Sequence, residues 1–152
     1  MGTKIGKKAW LYEPMGTYSF RLSTEKVYEV VGENHPKDWD GRVMDWVDKY
    51  SVRDDEGNER EVDYNYVVFT PNTDLNERDM VADYLGNNGL HCEVYTEGDG
   101  IVVSITWGDW KHDHGWADHL MSTIGYLCVD EQVTEENGSD TYSADHYYRM
   151  GE

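Results

Sequence analysis

From residue 64 onward the hydrophobic pattern of the chain changes period in a fixed order, and this order limits the possible folds more than any other feature. Residues 64–70, YNYVVFT, are β-branched and aromatic and end at Pro71, which predicts a strand. Residues 73–90 carry Met80, Val81, Tyr84 and Leu85 at helical spacing. Asp74 is the expected N-cap with Glu77 three residues on, and Gly86, Asn87 and Gly89 supply the stop. Residues 91–107 hold two alternating runs around Glu97-Gly98-Asp99-Gly100, a hairpin signal. Helical spacing returns over 113–126, where Trp116, Ala117, Leu120, Met121 and Ile124 share a face ahead of Gly125. Residues 127–134 predict a last strand, with 141–150 as its partner. The order β-α-β-β-α-β over residues 64–134 is that of the split βαβ, ferredoxin-like unit. The expected class is therefore α+β, with a sheet in the order 4-1-3-2 and helices on one face.

The first 63 residues read as a β-rich extension of the same single domain, 1–152. Two strands are expected around Pro14-Met15-Gly16, with Gly16 at the reversal. Residues 25–31 suit either helix or strand, 34–41 form a loop, and 42–69 predict a long hairpin turning at Asp55-Glu56-Gly57-Asn58.

Composition fits a globular protein. Twenty aromatic residues (12 Tyr, 6 Trp, 2 Phe) supply core surface that a charged disordered chain lacks. No apolar run reaches the roughly 18–20 residues of a bilayer span, and the N-terminal residues lack the apolar segment of a signal peptide. Cys92 and Cys128 are too few for a disulfide framework, so free thiols in a reducing cytoplasm are expected. The predicted topology places them on opposite edges of the sheet.

The densest run of polar chemistry is KHDHGWADH, residues 111–119. His112, His114, Asp118 and His119 are the candidate metal ligands of an enzyme or sensor. Only His114 and Asp118 have the i,i+4 spacing that lets two side chains share one ion. The run reads more simply as a helix start capped by Asp109 or Asp113. No nucleophile elbow, P-loop or dinucleotide fingerprint is present. No catalytic residue and no cofactor are predicted.

Charge is the stronger guide. The chain carries −18, and because residues 1–32 hold five basic and three acidic side chains, residues 33–152 hold −20. Such a field disfavours direct contact with nucleic acid or an anionic membrane and attracts a basic partner. Asp54, Asp55, Glu56, Glu59, Glu61 and Asp63 form one acidic run, and Asp130, Glu131, Glu135 and Glu136 a second. On a strand, Glu59, Glu61 and Asp63 recur at about 6.8 Å, twice the spacing of phosphates along one DNA strand. Trp39, in a polar loop, is the expected aromatic anchor. The reading is a non-enzymatic acidic protein that occludes a basic surface. Its most specific form is a nucleic-acid mimic, such as a phage or mobile-element inhibitor of a nucleic-acid-handling system. A metal-binding protein and a virion assembly subunit are the alternatives.

Overall fold

The computed structural model describes residues 4–15, 19–136 and 140–151. It shows an α+β protein of two compact units, Met1–Thr70 and Pro71–Glu152. Gly16 lies outside the described residues. Among those described, no helix is long and apolar enough to cross a membrane.

The first unit is a five-stranded antiparallel sheet in the order β4-β3-β2-β1-β5, built from β1 (Lys8–Met15), β2 (Ser19–Asn34), β3 (Lys49–Arg53), β4 (Glu59–Asp63) and β5 (Val67–Phe69). Residues 25–31 are strand, continuous with β2. Ala9, Val30, Tyr50, Val52, Val67 and Phe69 form the core, and the Tyr50 ring meets Phe69 edge-on at 5.2 Å. The predicted hairpin is shorter than expected. Its arms are β3 and β4, and Gly57 takes the positive φ (85°) that the turn requires.

The second unit contains α1 (Glu77–Asn87), β6 (Glu93–Glu97), β7 (Gly100–Asp109), α2 (Gly115–Thr123), β8 (Tyr126–Glu136) and β9 (Thr141–Met150). Its four strands are antiparallel in the order β6-β7-β9-β8. Val81, Tyr84 and Leu85 of α1 and Ala117, Leu120 and Met121 of α2 are buried, and the Tyr84 hydroxyl donates to the Leu120 carbonyl at 2.8 Å. The N-cap of α1 is Asn76, not Asp74, because the Asn76 side chain accepts from the Asp79 amide while Asp74 donates its own amide to Asn72.

This arrangement differs from the ferredoxin-like order in one strand. The strand expected to open that unit, β5, pairs instead with β1 in the first sheet. The unit therefore begins after Thr70 rather than after residue 63. The central place between β7 and β8 is filled by β9. Ten residues long and joined to β8 by a short connection, β9 needs little loop closure to pair, whereas β5 offers only three residues. Cys92 immediately precedes β6 and Cys128 lies in β8, at opposite edges of this sheet, and both are free.

Three tryptophans among the aromatics counted as core surface lie outside the core. Trp46, Trp107 and Trp110 are exposed. Trp107 sits at the bulge between Ile105 and Gly108 with a φ of 50°, which takes its side chain out of the regular inward alternation.

Candidate functional site

Four of the six hairpin acids have a cation beside or opposite them, one of which, Lys26, lies on β2. Asp54 Oδ1 accepts the amides of Glu56 and Asn58, and its Oδ2 accepts from the Arg60 guanidinium at 2.8 Å. The Asn58 amide, with Arg60 and the Glu56 amide, holds the Asp54 carboxyl below the usual carboxylate range. Asp55 pairs with Lys26 at 2.8 Å. Across the ladder Arg53 is the register partner of Glu59 and Lys49 of Asp63, while Glu61 faces Ser51. Opposite charges in such positions stabilise a sheet. Trp39 is 93% exposed, on a loop closed by the Lys37–Val43 bridge and by Asp38, whose carboxylate accepts the amides of Asp40 and Arg42.

Negative charge is instead concentrated in the second unit. Pro71–Glu152 carries 17 acidic and 3 basic residues, which is −14 of the chain's −18. Asp130, Glu131, Glu135 and Glu136 are exposed along β8, the edge strand of the sheet.

Within this unit α2 and β9 bring two histidines together out of solvent. His114 ends the π-helical turn Trp110–His114 that leads into α2, and His146 lies in the middle of β9. They are 3% and 1% exposed. His114 Nδ1 is 2.7 Å from His146 Nε2, and His114 Nε2 is 2.9 Å from the Tyr142 carbonyl oxygen. That oxygen only accepts, so Nε2 of His114 carries a proton. With both rings neutral, His114 Nδ1 is then an acceptor and His146 Nε2 donates to it. The remaining nitrogen, His146 Nδ1, is left with a buried lone pair that no donor meets. Burial pushes the His146 pKa down, which keeps the ring neutral.

Three further side chains reach this pair. Glu131 is the register partner of His146, and one donor atom from each of His114, Glu131 and His146 lies within 4.8 Å of the others. Asp118, one turn along α2 from His114, forms a second such group with Cys128 and His146. Tyrosines of β9 hold the acids in place. The Tyr142 hydroxyl donates to Glu131 at 3.1 Å and the Tyr148 hydroxyl to Asp118 at 2.5 Å. The Tyr142 ring also stacks on His114 at 3.9 Å and 5°.

A bulge makes this convergence possible. Cys128 and Glu131 are three residues apart, which in a regular strand puts them on opposite faces. The register shift between Cys128 and Asp130 sets Cys128 beside Tyr148 and Glu131 beside His146, two β9 residues that share a face.

Of the predicted metal candidates, His114 and Asp118 belong to the cluster. His112 is exposed, its amide bonded to Asp109, and His119 stacks on Trp116, so neither joins a metal-competent group among the described residues. Asp109 closes the π-helical turn that precedes α2, but α2 itself has His114 at its N-cap and no side-chain cap, so the expected capping by Asp109 or Asp113 falls one turn ahead of the helix. Cys128, His146 and the two tyrosines were not marked by the sequence as site residues. The one legible signal was the alternate spacing of Tyr142, His146 and Tyr148, which puts them on one face once 141–150 is a strand. No family model, curated protein or solved structure matches the chain.

Proposed function

We propose that the protein binds a divalent transition metal, Zn²⁺ or an ion of similar preference, through His114, Glu131 and His146. The observation that carries this reading is the buried His114–His146 contact, with Glu131 in reach of both rings. Two imidazoles and a carboxylate are a donor set suited to zinc, and three protein ligands leave a coordination position for water or another ligand. The Tyr142 carbonyl fixes His114 in the tautomer whose Nδ1 lone pair faces His146, and the Tyr142 hydroxyl orients Glu131. Outer contacts of this kind tune metal-binding histidines and carboxylates. An ion between the rings takes the place of the hydrogen-bonded proton, with the His146 ring in its other neutral tautomer (proton on Nδ1, lone pair on Nε2). It moves the nitrogens from 2.7 Å to about 3.3 Å, as two Zn–N bonds of about 2.0–2.1 Å at a tetrahedral angle demand. The −14 charge of the unit raises the local cation concentration.

Elemental analysis of protein purified without chelator, followed by calorimetric titration of Zn²⁺ into the metal-stripped chain, tests this. About one equivalent is expected, abolished in His114→Ala and in His146→Ala. Retention of full affinity in both variants would overturn the assignment.

A second reading, occlusion of a basic partner surface, is favoured by the exposed acids on the free edge of β8. Here Asp130, Glu135 and Glu136 contact a basic nucleic-acid-binding protein. Such a complex is expected to form at about 0.1 M salt and dissolve at about 0.5 M, where exposed charges are screened. Charge reversal at Glu135 and Glu136 weakens it. Binding insensitive to both changes is incompatible with this reading.

A further inference from the structure

We propose that Cys128 and Asp118 give this centre a thiolate arm, so that thiophilic ions such as Cd²⁺ or Co²⁺ are held by Asp118, Cys128 and His146. This rests on the metal reading above and adds a second donor set that shares His146 with the first.

The geometry supplies the arm from three separate elements. Asp118 comes from α2, Cys128 from β8 and His146 from β9, with one donor atom from each within 4.8 Å of the other two. The Tyr148 hydroxyl holds Asp118 through Oδ1 and leaves Oδ2 to bind. Cys128 is exposed, and the bulge that follows it turns its side chain to the His146 face. His146 Nδ1, buried and without a donor, is the independent sign that the region lacks a partner. A buried polar atom left unsatisfied costs stability and is uncommon in folded proteins.

The thiol itself shows what kind of partner fits. Its S–H donates to the Asp130 carbonyl at 3.4 Å. A divalent cation beside the Asp118 carboxylate takes Cys128 as its thiolate, since metal coordination deprotonates a thiol. The proton leaves to solvent and the Sγ–metal bond replaces the S–H bond, with no change of oxidation state. Sulfur, imidazole and carboxylate together favour borderline and soft ions over Mg²⁺ or Ca²⁺. The two sets draw on the same imidazole, so the ion's own preference decides whether His114 and Glu131 or Asp118 and Cys128 complete its shell.

Co²⁺ titration of the reduced, metal-stripped full chain tests the arm. Visible ligand-field bands report nitrogen and oxygen ligation in a low-symmetry site, and a near-ultraviolet charge-transfer band reports a Co²⁺–thiolate bond. Both bands are expected to grow together to one equivalent. Cys128→Ser removes the charge-transfer band and weakens Cd²⁺ binding by about tenfold or more, since even outer-shell losses cost about 10–100-fold. Cys92→Ser, at the opposite edge of the sheet, leaves the band in place. Ligand-field bands without charge transfer in the unsubstituted protein would overturn the thiolate arm and leave the His114–Glu131–His146 reading standing. Absence of both bands would overturn the two together.

Discussion

Zn²⁺ at about a hundred times its dissociation constant is expected to stabilise the Pro71–Glu152 unit by about 2.7 kcal/mol, the linkage value for a ligand that binds only the folded state. The folded state alone brings His114, Glu131 and His146 together, because they come from the turn before α2, from β8 and from β9. The unfolded chain retains six histidines and two cysteines, and residual binding to these lowers the gain somewhat. The chain has two compact units, so a single global melting temperature is the wrong observable. Amide hydrogen exchange along β9 reads the relevant unit directly. Protection of the Val103-facing amides near His146 should rise by roughly a hundredfold with Zn²⁺, as about 2.7 kcal/mol requires, and fall again on chelation. Mg²⁺ at the same concentration should do nothing, because it prefers all-oxygen octahedral shells. Identical exchange with and without Zn²⁺ would remove the metal reading.

The elements of this unit were legible because each has a clean period and a clear stop. The α1 stripe, the Gly98 turn and the end of α2 at Gly125 all appear where the residues place them. The assembly was less legible. Both 64–70 and 141–150 are β-rich, and nothing local distinguishes which will fill the centre of the sheet. Strand length and the short β8–β9 connection decide it, and these act only through pairing. The site was hidden for a related reason. His114 and His146 are 32 residues apart, so their contact is a property of topology rather than spacing. The Cys128–Asp130 bulge then reverses the face that simple alternation would assign to Glu131. Charge was legible in total but not in distribution. The stripe Glu59–Glu61–Asp63 was plain in the sequence, yet its neighbours Arg53 and Lys49 are set by hairpin register.

The two histidines should also prove strongly non-additive in stability. His146→Leu removes the donor to His114 Nδ1, and His114→Leu removes the acceptor for His146 Nε2. His146→Leu strands His114 Nδ1, and His114→Leu strands His146 Nε2 and also takes a donor from the Tyr142 carbonyl, each stranded buried group costing about 1–3 kcal/mol. The Tyr142 loss recurs in the double variant and cancels in the cycle. The double variant strands neither ring and places two apolar side chains in contact, a change that is often near neutral when shapes are similar. Its cost should therefore fall below the sum of the singles by about 0.5–3 kcal/mol, the range for residues in direct contact. Denaturant titrations of all four proteins in chelator, followed through signals of β9, give the cycle. Strict additivity would mean that the rings do not share a hydrogen bond. Addition of Zn²⁺ then separates structure from function, because it should stabilise only the protein that retains both histidines. A double variant as stable as the parent but unresponsive to Zn²⁺ would show that the buried pair is kept for the ion and not for the fold.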